Sequence, residues 1–220
     1  MSATMEVAYA TVAGAELELH PCGAIYWPAE EAVLLADVHL GKARHFQRAG
    51  IPVPTSVNDQ NLEKLLYLLM EYQPRRMLLL GDLFHSDFNP AWEEFADLVK
   101  QFDHVRFELI VGNHDRYADT RYTRAGMELY PEALVLPPFL LTHEPVEEVP
   151  DALFNLAGHI HPCVHLEGRG KQRMRLPCFH FGTDKGLLPA FGTFTGMHPI
   201  GPKPGDQVFV IAEDSVVRVG

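Results

Sequence analysis

Short apolar runs recur along the 220-residue chain, and several end in a side chain that can bind a metal ion or transfer a proton. The first clear example is the run at residues 33–36, which leads directly into Asp37 and His39. A β-strand directs residues i and i+2 to the same side, so this spacing predicts that the two side chains converge on one point. A single pair of this kind also arises by chance, so the later runs decide its meaning.

Four further apolar runs end in the same kind of residue. The polar side chains there are Asp82, Asn113 with His114, His143, and His159 with His161. Ligands of α/β proteins gather at the carboxyl ends of strands, because the loops that follow the strands lie side by side there. Five successive strand ends with the same chemistry indicate one shared metal centre.

The order of secondary-structure elements predicts an α/β fold. Residues 56–72 carry leucines at helical spacing and end before Pro74, and residues 90–102 form a second helical segment. Residues 6–27 are interpreted as two short strands joined at residues 20–23. Strands alternate with helices early and follow one another later, which predicts a single domain over residues 1–220 with two packed sheets and helices outside.

Composition restricts the class of protein. The chain has a net charge of −11 and no apolar run of membrane-spanning length, so we expect a cytoplasmic globular protein in which any polyanion is held by a local basic patch or by bound cations. The three cysteines, Cys22, Cys163 and Cys178, show no paired spacing and are interpreted as small core residues in a reducing compartment.

The motifs DVH, GDLFH, GNHD, THE and GHIH, in this order over residues 37–161, resemble the calcineurin-like metallophosphoesterases. Longer segments, such as LLADVHLGKARHFQRAGIPVP and LPAFGTFTG, resemble one branch of that superfamily, the bacterial DNA-ligase-associated metallophosphoesterases of the DNA damage response. The resemblance implies a four-layer αββα sandwich of mixed sheets. It also implies a functional link to an ATP-dependent DNA ligase, a helicase and a nuclease of another fold.

The same resemblance implies the metal ligands. One ion would be held by Asp37, His39, Asp82 and His161, and a second by Asp82, Asn113, His143 and His159, so that Asp82 bridges the two. Imidazole, carboxylate and amide ligands together suit divalent transition metals better than Ca²⁺ or Mg²⁺, which prefer shells of oxygen alone. Manganese is favoured, with iron and zinc as alternatives.

A dinuclear centre predicts hydrolysis of a phosphodiester by a metal-bridging hydroxide, with no side-chain nucleophile. In the superfamily, the position of His114 donates a proton to the leaving oxygen, and Asp115 would orient its imidazole. A purely electrostatic role for His114 is the alternative. His85 is expected either to contact phosphate or to hydrogen-bond a metal ligand such as Asp82.

Two basic segments are candidates for substrate binding. Four residues follow the first ligand pair, and four alternate along a predicted hairpin at about residues 164–178. They are Lys42, Arg44, His45 and Arg48, and Arg169, Lys171, Arg173 and Arg175. Alternatively, these charged residues lie on a solvent-exposed face that binds no substrate, or they protect a sheet edge from pairing with another strand.

These observations predict a phosphodiesterase that cuts DNA, with single strands as the expected substrate of an endonuclease acting in repair. The DNA substrate comes from the family resemblance, whereas the residues alone predict only a metal-dependent phosphoester hydrolase. A phosphodiesterase or pyrophosphatase for a small nucleotide-type substrate is the first alternative. A non-catalytic scaffold is the second.

Overall fold

The computed structural model describes residues 5–41, 56–84, 91–115, 119–167, 173–193 and 195–219. Within these ranges it contains three α-helices, namely α1 (Ser56–Tyr72), α2 (Ala91–Gln101) and α3 (Asp119–Arg124). The first sheet contains β1 (Ala8–Val12), β2 (Ala15–His20), β3 (Ala24–Trp27), β4 (Ala32–Leu35), β5 (Arg76–Leu80), β6 (Arg106–Ile110) and β7 (Glu128–Tyr130). These strands lie side by side in chain order, antiparallel from β1 to β4 and parallel from β4 to β7.

The second sheet is also mixed. Its strands are β8 (Ala133–Leu136), β9 (Phe139–Thr142), β10 (Phe154–Ala157), β11 (Pro162–Glu167), β12 (Arg173–Phe181), β13 (Lys185–Leu187), β14 (His198–Pro199), β15 (Gln207–Ala212) and β16 (Ser215–Arg218). Its main path runs β14-β11-β12-β13-β10-β9-β8, with β15 paired to β12 and β16. β9, β10 and β13 are parallel, whereas β11 and β12 form an antiparallel pair.

The central strands of the first sheet are apolar on both faces, because each face packs against another layer. Along β4, Val33 and Leu35 pack with α1 and α2 in one core, whereas Leu34 faces the second sheet in another. In β5, Leu79 packs in the core with the helices, whereas Leu78 packs in the core between the two sheets. A continuous apolar run therefore marks a strand that lies between a helical layer and a second sheet.

The second sheet completes the layer between the two sheets. Aromatic residues of its strands, including Phe139, Phe154, Phe179 and Phe209, pack against Leu34 and its neighbours in the inter-sheet core. On the opposite side of this sheet, the described residues form a small apolar cluster around Val164, Cys178, Val208 and Val210. The predicted α/β architecture of two packed mixed sheets with flanking helices is confirmed, and the described helices α1 and α2 lie on the outer face of the first sheet.

The amino-terminal region differs from the sequence expectation. Residues 6–27 form three strands where two were predicted, because the chain also turns at Ala13 and Gly14, both with positive φ. Gly14 has a φ of +82°, a region that glycine enters without steric cost. All three cysteines are buried free thiols, in agreement with their interpretation as core residues. No helix in the described ranges has the length and apolar character needed to span a membrane.

Candidate metal centre

The carboxyl ends of five strands meet at one edge of the sandwich. Parallel β4, β5 and β6 deliver Asp37 with His39, Asp82, and Asn113. β9 and β10, parallel in the second sheet, deliver the histidines at 143, 159 and 161. The loops are joined by hydrogen bonds such as that from the His39 amide to the Asp82 carbonyl, at 3.0 Å. Parallel strand direction therefore accounts for the common location of residues that are up to 124 positions apart.

The local convergence of the side chains has a different cause from the one expected. Asp37 and His39 lie beyond the end of β4, and both have positive φ, at 55° and 50°. Asp82, His159 and His161 also have positive φ. Such conformations are uncommon for residues other than glycine, and they turn the chain sharply after each strand. The side chains therefore converge through left-handed turns, and not through the alternation of an extended strand.

Three of the predicted ligands form a first group. Asp37, His39 and His161 each offer a ligand atom, and these atoms lie within 4.8 Å of one another. Asp37 is fully buried, and its Oδ2 accepts a hydrogen bond of 2.8 Å from the His159 amide. Its other oxygen, Oδ1, makes no hydrogen bond to any described residue, although His161 Nε2 lies only 3.2 Å away.

The orientation of His161 explains why this oxygen has no hydrogen bond. Its Nδ1 lies 3.0 Å from the carbonyl of Gly196, which can only accept, so Nδ1 carries the proton. In a neutral ring, Nε2 then presents a lone pair toward Asp37 Oδ1. Two electron-rich atoms at this distance repel each other unless a cation lies beside both. This geometry fits a metal ion bound by the first group.

The second group contains Asp82, His143 and His159, again with ligand atoms within 4.8 Å. Nδ1 of His143 donates to the Leu80 carbonyl at 3.0 Å, which leaves a lone pair on Nε2. Around Nε2 lie Asn113 Oδ1 at 3.0 Å, His159 Nδ1 at 3.1 Å and Asp82 Oδ1 at 3.5 Å. A lone pair on Nε2 can accept a hydrogen bond from His159 Nδ1 but cannot form one with the two oxygens, which are acceptors as well. A cation shared by all four residues satisfies them together, so the second group also fits a metal ion.

The predicted bridging role of Asp82 stays a prediction. Its carboxylate belongs to the second group, and its Oδ1 also accepts a 3.0 Å hydrogen bond from the His114 amide. The two groups are nevertheless adjacent, because the Asp37 carboxylate in the first accepts from the amide of His159 in the second.

His114 lies beside both groups. Its imidazole is 6.1 Å from the His39 ring, measured between centroids, and its Nε2 is 3.9 Å from Asp82 Oδ2. The side chain is 40% exposed, whereas that of Asp82 is 4% exposed. His114 is therefore placed where a substrate approaching the centre from solvent would meet it.

The contacts of Asp115 show a structural role that the sequence did not predict. Its buried carboxylate accepts hydrogen bonds from the amides of Leu83 at 3.0 Å, Phe84 at 3.4 Å and Gly112 at 3.0 Å, and from the Tyr122 hydroxyl at 3.1 Å. Three of these donors converge on Oδ1 and the Gly112 amide contacts Oδ2, so both oxygens of the carboxylate are held. Burial raises the pKa of Asp115, and the backbone hydrogen bonds oppose this effect. Asp115 thus joins the loops after β5 and β6, and its predicted orientation of the His114 imidazole stays a prediction.

Substitution Asp115→Ala is expected to lower the free energy of unfolding by about 2–4 kcal/mol, because it leaves several buried donors without an acceptor. The matched variant Tyr122→Phe removes one donor and no acceptor, and should cost about 1 kcal/mol. Urea unfolding of the three proteins measures both values. Equal stability of Asp115→Ala and the wild type would show that the carboxylate does not hold the loops together.

Three glycines that precede predicted ligands were missed as functional positions. A Cβ on Gly81 would lie 2.2 Å from His143 Nδ1, and one on Gly112 would lie 2.3 Å from Asp82 Oδ1. A Cβ on Gly158 would lie 2.6 Å from Asp37 Oδ2. Each ligand can approach a neighbouring loop only because the glycine has no side chain. The signal was present in GDLFH, GNHD and GHIH, where glycine stands directly before the ligand each time.

Several predicted substrate and catalytic residues lie outside the described ranges. They are His85, the first basic segment (Lys42, Arg44, His45 and Arg48), and Arg169 with Lys171 of the second. Arg173 and Arg175 are exposed on β12, where Arg173 Nε lies 2.8 Å from Glu167 Oε1 and Arg175 Nε lies 3.3 Å from His165 Nε2.

The hairpin directs these arginines away from the centre. Arg173 pairs with Glu167, six residues beyond His161, which corresponds to about 20 Å along an extended strand. Arg175 pairs with His165, which is about 13 Å from His161 on the same basis. These arginines can contact a long substrate, but they do not border the two ligand groups.

Comparison with known proteins agrees with this geometry. A family model for the calcineurin-like phosphoesterases matches residues 32–210. Among solved structures, the chain is similar to the nuclease MPE of Pseudomonas putida, with 32% identity, a TM-score of 0.81, and coverage of 97% of this chain and 100% of that one. A conserved uncharacterized protein of Streptococcus pneumoniae, described as a predicted phosphoesterase, matches at 16% identity over 83% of each chain, but its TM-score of 0.30 supports no argument. Proteins with curated functions provide no match.

The family match and the geometry lead to the same chemistry. Calcineurin-like phosphoesterases use a dinuclear metal site, and this chain brings two groups of metal-binding side chains together. Because the family model covers most of the chain, including all seven predicted ligand positions, the chain belongs to the calcineurin-like phosphoesterases and is a metal-dependent phosphoesterase.

Proposed function

We propose that this protein is a nuclease that hydrolyses phosphodiester bonds within single-stranded DNA, and that it acts in DNA repair together with a DNA ligase and a helicase. The observation that carries the hydrolytic part is the adjacency of the two ligand groups, with the exposed His114 beside them. The nucleic-acid part is supported by the full-length similarity to a nuclease.

Two divalent cations, manganese by preference, would supply a hydroxide from water at neutral pH and withdraw charge from the phosphoryl oxygens. The protein's own residues provide the remaining functions. Buried Asp37 and Asp82 are the carboxylates of a site whose other predicted ligands are imidazole rings and an amide. His114 is placed to transfer a proton to the oxygen that leaves when the phosphodiester is cut.

Circular single-stranded DNA tests the proposal directly, because a circle has no ends and is linearised only by an endonuclease. We expect manganese-loaded wild-type protein to linearise the circle. It should also hydrolyse bis(4-nitrophenyl) phosphate, a small diester with a good leaving group. Hydrolysis of the small diester without cleavage of the circle would contradict the DNA substrate and favour a small nucleotide-type substrate.

His114→Ala is expected to lower the rate of DNA cleavage by about 10²- to 10⁴-fold, which is the usual contribution of a general acid. The nitrophenolate leaving group needs no proton, so hydrolysis of the small diester should fall much less. His104→Ala is the matched control, since His104 is an exposed histidine just before β6, at the opposite end of that strand. If His114→Ala lowered the rate of hydrolysis by the same factor on both substrates, proton transfer would be contradicted and His114 would have an electrostatic role.

A further inference from the structure

A cavity of about 200 Å³ lies next to the metal centre, on the side of the predicted ligand His161. It is bounded by α1, by the turn between β2 and β3, and by the segment that follows β13. Its walls include Lys64, Phe191, Thr195 and Met197. His161 belongs to both the first ligand group and the cavity wall, so the cavity adjoins the predicted metal centre.

Lys64 is the cationic residue among those that line this cavity. Its Nζ donates a 2.6 Å hydrogen bond to the Phe191 carbonyl and lies 4.2 Å from the centroid of the Phe191 ring. Among the described residues, no carboxylate lies within ion-pair distance of this ammonium. An ammonium has three donors, and the carbonyl uses one of them. Donors and positive charge therefore remain available to a ligand.

A purely structural role does not account for the charge. Asn61, one turn earlier on α1, already joins this helix to the same segment, because its Oδ1 accepts from the Thr193 amide at 3.1 Å. Its Nδ2 also donates to the Val38 carbonyl at 3.0 Å. A neutral amide is thus sufficient to hold the helix against both loops. A partly buried lysine at the next turn adds a desolvation cost that an anionic ligand would offset.

The other titratable groups near Lys64 do not supply that anion. Burial lowers the pKa of Lys64 to about 8, so most of the ammonium is charged at neutral pH. Burial and the nearby Lys64 charge lower the pKa of His20 to about 4, which leaves this ring neutral. Burial raises the pKa of the Cys22 thiol, which favours its uncharged form.

We propose that this cavity is a subsite for a nucleotide flanking the scissile bond, with Lys64 binding its phosphate. Apolar surface from Pro162, Phe191 and Met197 would contact the sugar or base of the same nucleotide. The proposal rests on the proposed function, since it requires a substrate with more than one phosphate. It adds a substrate contact on α1, which is separate from both basic segments identified in the sequence.

Binding of a phosphorothioate-linked oligodeoxythymidylate, which resists cleavage, tests the subsite with metal-loaded protein. Fluorescence anisotropy across a series of salt concentrations gives both the affinity and its salt dependence. Lys64→Met is expected to weaken binding about tenfold at low salt. It should also reduce the slope of log affinity against log salt by about 0.7, the value for one phosphate contact on a single strand. Lys64→Arg, which keeps the charge, should retain the wild-type slope.

Lys185→Met is the matched control, because Lys185 Nζ also donates to a backbone carbonyl, that of Glu147, at 2.7 Å. It removes one charge and one bond of the same kind from a different surface, and should leave the salt slope unchanged. Bis(4-nitrophenyl) phosphate has no flanking phosphate, so Lys64→Met should lower its kcat/KM much less than it lowers the affinity for the oligonucleotide.

The outcomes separate the two proposals. If the wild type neither binds the phosphorothioate oligonucleotide nor cuts circular single-stranded DNA, the proposed function is wrong. If the wild type binds and cuts DNA while Lys64→Met retains its affinity and salt slope, the subsite alone is wrong. If Lys64→Met lowered the affinity for DNA and the kcat/KM for the small diester by the same factor, and also lowered the Tm, Lys64 would have a structural role. This outcome would also overturn the subsite.

Discussion

Asp82→Ala is expected to lower phosphodiester hydrolysis by on the order of 10³-fold or more and to reduce the metal content of the protein. Asp82 is buried at the carboxyl end of β5, and its carboxylate faces His143 and His159. Its Oδ1 also accepts the His114 amide hydrogen bond, so the substitution removes both a ligand and the support of the proton donor. No other carboxylate belongs to the second ligand group within the described ranges.

Elemental analysis of purified, manganese-dialysed protein measures the loss of metal independently of activity. Asp97→Ala is the control, because Asp97 is an exposed carboxylate on α2 that pairs with Lys100. The control should keep the wild-type metal content and rate. If Asp82→Ala retained both its metal and its activity, the catalytic centre would have to lie elsewhere on the molecule.

Gly81→Ala is the second substitution with a large expected effect. Gly81 has a φ of +76°, and a Cβ there would lie 2.2 Å from Nδ1 and 2.4 Å from Cγ of His143. The ring would have to move, which breaks the hydrogen bond from its Nδ1 to the Leu80 carbonyl. We expect a loss of unfolding free energy of about 3–4 kcal/mol, together with loss of metal binding by the second group.

Gly126→Ala separates the steric effect from the backbone effect. Gly126 also has a positive φ, of +93°, but a Cβ there would meet nothing within 4 Å. Its substitution should cost only the left-handed penalty, about 1–2 kcal/mol. Urea unfolding of both variants measures the difference. If the two losses were equal, contact with the His143 ring would not be the reason for glycine at position 81.

The sequence was most informative about the residues at the strand ends. A run such as 33–36 is apolar throughout because both faces of its strand are buried, and the first polar residues after it mark the end of the strand. Parallel strands place their carboxyl ends at one edge, so Asp37, Asp82 and Asn113 could be grouped without coordinates. Their roles as metal ligands stay predictions, now supported by the way their atoms face one another.

Other features depended on contacts between distant segments. The pattern DVH was interpreted as an extended strand tip, yet Asp37 and His39 adopt left-handed conformations that only the surrounding loops stabilise. The carboxylate of Asp115 accepts from two amides of the loop after β5 and from the Tyr122 hydroxyl on α3. Adjacency in sequence carries no information about these partners, which belong to other segments of the chain.

Lys64 illustrates the same limit for substrate binding. On α1 it is one charged residue in a helix with leucines at helical spacing, and nothing in its local sequence distinguishes it from a solvent-exposed lysine. Only the packing of α1 against the segment around Phe191 places it in a cavity beside His161. By contrast, Arg173 and Arg175, which the alternating pattern singled out, lie along a hairpin that leads away from the centre.

The sequence by itself thus determined the chemistry, because metal-binding side chains are recognisable by type and the apolar runs before them locate the strand ends. The tertiary structure decided how these side chains meet, which glycines allow them to approach, and which charged residues border the site. Those properties depend on distances between segments far apart in the chain, and hydrophobic periodicity carries no information about such distances.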